Sequence, residues 1–404
     1  MPGPLNGFRV VELAAWTFVP AAGAVLADWG ADVIKVEHPV TGDPQRGLIS
    51  SGIVPSAGSV NYLMEQPNRG KRSVGIDVST PDGLEVLLRL VETADVFLTN
   101  LLPGSCSRLG VAVDDVRRRN PQIVYARGHG QGVRGEEAER GGFDMAVYWA
   151  RSGIADALTV TSGDYPPFQR AAFGDIVGGQ TIAGGIAAAL LQRERTGEAS
   201  IVDVSLLHLG LWQLSPDVVA SGLLKQPSPK FDRTDMPSPL TNSYRTSDGR
   251  YLFLVYLQAD RFWADLCLKV WERPDLVDDE RFANAPVRFE NRKECIRILD
   301  EIFASKPLSY WEERLNSIDG VWGPARNALE THTDPQVEAN GYLAELVDDD
   351  GAPFRLVSNP VQFDEKPTEL NRAPNHGEHT EELLLELGDD WDHILALKES
   401  GAIL

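Results

Sequence analysis

Strand-like and helix-like runs alternate through the first third of the chain, and that alternation limits the fold more than any other feature. Phe8–Leu13 (FRVVEL) reads as a buried strand, Pro20–Trp29 as a helix stopped by Gly30, and Asp32–Glu37 (DVIKVE) as the next strand. A strand, a helix and a strand in so little chain make a βαβ unit with parallel strands, because the connection has to cross over. A Gly-, Pro- and Ser-rich stretch from Pro39 to Asn68 then reads as a long loop, of a length usually reserved for function. The pattern resumes with a strand at Ser73–Val78, a helix at Thr80–Thr93 with Pro81 in its first turn, a strand at Asp95–Leu101, a helix at Val113–Asn120 and a strand at Gln122–Arg127. Residues 1–130 are therefore an open α/β sheet.

Downstream, Asp144–Ile154 is expected to be helical with Asp144 as its N-cap, and residues 155–174 irregular. A small-residue helix runs from Ile176 to Arg195, then a strand at Ala199–Ser205 leads into a helix to about Leu223. The polar, Pro-rich stretch 225–240 marks a linker. Beyond it a hairpin turning at Asp248-Gly249 and helical runs at 260–270, 291–304 and 308–316 suggest a smaller second domain, and 342–363 a further antiparallel pair around Asp350-Gly351. The expected division is a large domain over 1–224, a small one over 230–325 and a C-terminal segment, 326–404, returning to the large domain.

A net charge of −21 argues against nucleic acid or an anionic membrane as a partner. No run of about 18 uninterrupted apolar residues suggests a membrane span, and MPGPLNGFRVVEL has none of the marks of a signal peptide. Cys106, Cys267 and Cys295 form no CxxC pair, so neither a disulfide framework nor a thiolate metal site is expected; a reducing, cytoplasmic setting fits.

The first βα turn, AAWTFVPAAG, followed by Glu37, invites a dinucleotide reading, but it lacks GxGxxG and no nicotinamide is expected. His376 and His379 share a helical spacing without a third ligand, so no metal is expected either. More informative is FGDIVGGQTIAGG. Asp175 stands just before the long helix, where unpaired N–H groups and the dipole favour negative charge, so it is expected to stay ionised at neutral pH. Gly178, Gly179, Gly184 and Gly185 each lower helix propensity by roughly 1 kcal/mol relative to Ala, which points to close approach of a backbone or a ligand. A plain cap with packing glycines explains the same residues. Arg69, Lys71 and Arg72 form a basic cluster that can serve an anionic cofactor, whereas Arg117–Arg119 complement a helix end.

Taken in order, LNGFRVVELA, GADVIKVEHPVTGDPQRG, NRGKRSVGIDVSTPDG, ADVFLTNLLPGSCSRLG, FGDIVGG, LLQRERTGEASIVDVSLL and RAPNHGEHTEELLLELG resemble the class III CoA-transferase family, which also holds α-methylacyl-CoA racemases. The resemblance spans nearly the whole chain. It implies a large α/β domain of Rossmann-like character, a smaller α+β domain, and a homodimer whose two chains interlock as rings. It implies coenzyme A, as acyl-CoA, for a substrate and a carboxylic acid for acceptor. Asp175 matches the family's nucleophile, which passes through an anhydride and an aspartyl-CoA thioester, and Asp144 matches an acidic position at the reacting centre. Trp16 and Thr17 match the loop lining the thioester. His38 falls at the nucleotide end where relatives hold Arg, Ile76–Ser79 and Asn100–Leu102 match backbone contacts to the cofactor, and Arg108 matches a phosphate-binding arginine.

Three departures bear on the reaction. Phe143 replaces the racemases' His, no glycine-rich loop lies between Asp232 and Leu257, and Thr17 replaces the Gln of formyl-CoA transferases. Transfer is therefore the leading reading. An acyl-CoA isomerase pairing Asp175 with Asp144 or His129, and a non-catalytic acyl-CoA-binding protein, remain as alternatives.

Overall fold

The computed structural model describes residues 3–52, 54–160 and 164–404; the middle of the stretch read as irregular, 161–163, lies outside them. The chain divides into two units, one of residues 1–156, 166–227 and 335–404 and one of 157–165 and 228–334.

The first unit is built on six strands, β1 (Arg9–Leu13), β2 (Asp32–Glu37), β3 (Arg72–Gly75), β4 (Val96–Thr99), β5 (Val124–His129) and β6 (Ile201–Ser205), in the order β3-β2-β1-β4-β5-β6. Every neighbouring pair is parallel. Val11 sits between Ile34 and Phe97. The central strands are buried on both faces: every residue of β4 (VFLT) is buried, and in β2 Lys35 and Glu37 are buried beside Val33, Ile34 and Val36. One face, with Val10, Val33 and Leu98, packs on helix Phe18–Asp28 and the long helix Phe173–Thr196. The other, with Val11, Ile34 and Phe97, packs on helix Pro81–Glu92 and on Leu383, Leu384, Ile394 and Leu397 from the C-terminal helices Thr380–Glu386 and Trp391–Glu399. Thr80 starts Pro81–Glu92 by accepting the Gly83 N–H. The hairpin Leu343–Val347/Pro353–Val357 also belongs to this unit.

The second unit pairs Thr241–Arg245, Tyr251–Val255 and Trp322–Pro324 in an antiparallel sheet. Tyr244 stacks on Phe303 at 4.9 Å, and Trp263, Trp271, Phe282 and Trp311 fill the core.

Several helices lie where none is expected, two of them near the strand ends of the first unit. Tyr62–Asn68 forms inside the supposed loop, started by the Asn61 side chain on the Met64 N–H in spite of Pro67, and Pro103–Leu109 follows β4. The long helix is, by length and composition, apolar enough to cross a bilayer. Its glycines instead press it into the core. A Cβ on Gly179 would stand 2.5 Å from Ala21 Cβ and 2.9 Å from the Ala22 backbone nitrogen, and one on Gly178 2.3 Å from the Phe18 ring. Gly178 and Gly179 thus serve close approach between two helices.

Candidate active site

In an open parallel sheet ligands gather beyond the carboxyl ends of the strands, where the strand order reverses. Here that place lies between β1 and β4, and the loops leaving β1 to β4 carry most of the expected positions. Asn100, just after β4, clamps the β1 loop by accepting the Ala15 N–H at 3.2 Å and donating to the Ala15 carbonyl at 2.6 Å.

Trp16 follows with φ 69°, a left-handed conformation that costs a bulky residue energy. Asp43 holds it there, its Oδ1 accepting the Trp16 N–H at 3.1 Å and the Gln45 N–H at 3.0 Å. Asp43 Oδ2 lies 2.9 Å from Lys35 Nζ, and both side chains are fully buried. The pair continues through Glu12 to Lys71. Burial pulls Lys35 down, but the carboxylates of Asp43, Glu12 and Glu37 outweigh it and raise the ammonium above its ordinary pKa. Thr17 donates its hydroxyl to Gln45 Oε1 at 2.8 Å. Asp43 and Gln45 are site-shaping residues that sequence reasoning missed; the signal was a buried acid in GDPQR, directly after the second strand.

His38 leaves β2 with its Nδ1 accepting the Val40 and Thr41 N–H groups and its Nε2 3.9 Å from Asp77. Ile76 is buried at the end of β3, and Ser79 donates to Asp77 Oδ1 at 2.6 Å. Leu102 starts helix Pro103–Leu109, on which the exposed Arg108 reaches Ser105 Oγ at 2.8 Å.

The basic cluster is paired within the chain. Arg69 pairs with buried Asp28, Lys71 with Glu12, and Arg72 with Asp32 and Glu386, so internal carboxylates take all three charges. His379 Nδ1 accepts the Ser73 N–H and His376 Nε2 contacts the His38 carbonyl; among the described residues no group of three potential ligands could hold a metal.

Asp175 lies within the first turn of the long helix, two residues after its start at Phe173, rather than before it. Asp144 opens a wide π-type helix, Met145–Arg151, without capping it by its side chain. Its Oδ2 instead accepts the Gly174 N–H at 3.0 Å, so Asp144 caps the long helix from outside. A Cβ on Gly174 would stand 2.3 Å from the Tyr148 ring and 2.5 Å from Asp144 Oδ1, so only glycine lets the carboxylate come this close.

The expectation of an Asp175 ionised throughout neutral pH is corrected. Burial, followed by the neighbouring Asp144 charge, raises its pKa from 3.8 to about 7. Burial also raises Asp144, against the Gly174 hydrogen bond that favours its charge. Rings frame the pair: Trp16 meets Phe143 edge-on at 5.7 Å, and Trp149 meets Phe173 at 6.5 Å.

His129 does not complete a two-base pair with Asp175. A Cβ on Gly128 would meet Ile182 of the long helix, so the next residue of β5 points to the opposite face of the sheet. Burial, then Arg127, lowers His129 to about 4.

The model of CoA-transferase family III matches residues 5–380. The chain is 30% identical to an (R)-2-hydroxy-4-methylpentanoate CoA-transferase of Clostridioides difficile, covering 99% of both chains. It is 30% identical to the human (Homo sapiens) succinyl-CoA:glutarate CoA-transferase over 95% of this chain and 86% of that one. Among solved structures, a CAIB/BAIF family protein from Brucella suis superposes with a TM-score of 0.82 at 29% identity, over 96% of this chain and all (100%) of that one.

Proposed function

Since the chain belongs to CoA-transferase family III, we propose that it moves CoA from an acyl-CoA thioester to a carboxylic acid, with Asp175 as the nucleophile. The observation that carries this reading is Asp175 in the first turn of the long helix, half-buried beside Asp144 and poised near neutrality.

The ionised Asp175 attacks the thioester carbonyl; a C–O bond forms, the C–S bond breaks, and CoA leaves as its thiolate. The thiolate attacks the aspartyl carbonyl of the resulting anhydride, releasing the donor acid and leaving an aspartyl-CoA thioester. The acceptor carboxylate attacks that thioester, giving a second anhydride and thiolate. Attack of the thiolate on the acceptor's carbonyl yields the new acyl-CoA and free Asp175. Covalent catalysis divides one hard exchange into steps a carboxylate can perform, and backbone N–H groups stabilise the oxyanions. Asp144 sets the position of the helix start and the proton affinity of Asp175.

CoA runs along the loops at the strand ends, touching Trp16, Thr17, His38, Ile76, Ser79, Asn100, Leu102 and Arg108. The strand reversal between β1 and β4 supports a Rossmann-like placement. The working form is an interlocked homodimer. Supporting this, helix Ser215–Leu224 buries none of its residues, and Trp212, Val219, Leu223 and Leu224 are exposed on a single chain. Three free, buried thiols suit a cytoplasmic enzyme. Transfer is favoured over isomerisation because neither Phe143 nor the turned-away His129 supplies Asp175 with a nitrogen base.

A covalent trap tests this reading. The protein is mixed with a panel of acyl-CoA donors, quenched with hydroxylamine and mapped by mass spectrometry. A hydroxamate on Asp175 is expected; an unmodified Asp175 across the panel, with CoA binding shown separately, removes the transferase reading.

A further inference from the structure

The family's named relatives leave the acyl group of this chain open, but the ground around Asp175 does not. A cavity of about 300 Å³ lies in the first unit, lined by Met145, Trp149, Ala150, Ala155 and Phe168 together with Pro166 and Pro167. Its walls are tied to the reacting carboxylates at two points. Met145 and Trp149 ride on the helix that Asp144 opens, and Asp144 bonds the Gly174 N–H at 3.0 Å. Phe173, two residues before Asp175, meets the Trp149 ring at 6.5 Å. We propose that this cavity receives the acyl group, and that it selects an apolar one, branched or aromatic, over a short acid or one carrying a second carboxylate. The proposal rests on the transferase reading.

The lining chemistry makes the choice. The Trp149 Nε1–H is spent on the Pro167 carbonyl at 2.7 Å, so the ring offers the cavity only carbon. Met145 and Phe168 are 46% and 86% exposed, a large apolar area that an apolar guest would cover. Asp156 is the one ionisable residue among those lining the cavity, and it is an acid. A second carboxylate placed there would lose its water against walls made mostly of hydrocarbon. A volume of about 300 Å³ accepts a phenyl or branched chain, whereas an acetyl group would leave most of it unfilled.

The test is a competition on the full chain. Butyryl-CoA serves as donor, and 3-phenylpropanoate, hexanoate, acetate and glutarate are offered at equal concentration, with the new thioesters counted at early times by mass spectrometry. Phenylpropanoyl-CoA and hexanoyl-CoA are expected at least tenfold ahead of acetyl-CoA and glutaryl-CoA. Ala150→Phe, which fills the cavity from an exposed position, is expected to cut the phenylpropanoate-to-acetate ratio at least tenfold. Phe168→Ser, at a position too exposed to disturb the core, should lower the same ratio. Acetate or glutarate used as readily as phenylpropanoate, or a ratio that neither variant moves, overturns the cavity assignment while leaving CoA transfer itself standing. Transfer to none of the acids, with no hydroxamate on Asp175, removes the transferase reading and this inference together.

Discussion

The Asp144 carboxylate accepts the backbone N–H of Gly174 at 3.0 Å across 30 positions of sequence, so one hydrogen bond holds Asp144 at the helix turn that carries Asp175. The bond fixes where the long helix begins. It also brings a negative charge close to Asp175, which together with burial raises the proton affinity of that carboxylate. Position and protonation are thus set by the same contact.

Activity should follow the ionisation of Asp175. Only the carboxylate is nucleophilic, and its pKa is about 7, so kcat/KM is expected to rise with pH through about 7 and level off above 8. A rate profile from pH 5 to 9 with a non-ionising acceptor side chain checks this. A profile already flat at pH 5 would mean that the site does not raise the nucleophile.

Asp144→Asn keeps an oxygen for the Gly174 N–H but removes the charge. The acid limb of the profile should move down, on the order of one pH unit, because the Asp144 charge raises Asp175. The same pH–rate measurement reads it, and an unmoved limb would leave burial as the whole cause.

Asp175→Asn should stabilise the fold while abolishing transfer. The folded pKa lies above the unfolded value of 3.8, so the folded chain binds the proton more tightly. The burial of charge therefore costs stability increasingly from about pH 4 to 7, and in full above 7. Urea unfolding should show the variant more stable by on the order of 2 kcal/mol at pH 8, with the gain gone by pH 4. Hydroxamate formation and turnover should both vanish.

Two glycines of one helix should respond oppositely. Gly179→Val drives a side chain into Ala21 and the Ala22 backbone, and is expected to cost roughly 3 kcal/mol or more. A Cβ on Gly184 meets nothing within 4 Å, so Gly184→Ala should gain roughly 0.5–1 kcal/mol from helix propensity. Calorimetric Tm values of the two variants settle the comparison.

Asp43→Ala removes the 2.9 Å ion pair to buried Lys35, leaving Glu12 at 3.3 Å as its paired carboxylate, and releases the Trp16 N–H. A loss of roughly 3–5 kcal/mol is expected by denaturant unfolding.

Much of the sheet was legible because segments of strand length, rich in Val, Ile and Leu, lie between turn signals: DVIKVE is β2 to the residue, although half of it is charged. Helix Tyr62–Asn68 was hidden by Pro67 and by polar neighbours, and only the Asn61 cap betrays it. Asp175 could be picked out by its place at a helix start, but its pKa could not. Desolvation depends on what folds over the group, and Asp144 arrives from 31 positions upstream. The same holds for Arg69, Lys71 and Arg72, whose acidic partners Asp28, Glu12 and Asp32 lie far back along the chain. A local run of charge says nothing of which acids will meet it.

The C-terminal helices cover one face of the first strands, and Thr380 Oγ1 accepts the Gly75 N–H from 305 positions away. On the ribosome β1, β2 and β3 emerge long before that cover exists. At about 5–20 residues per second the delay is roughly 15–60 s, in which Val11, Ile34 and Val74 present bare hydrocarbon to the cell. The nascent chain is therefore a natural client for chaperones until its last helices are made.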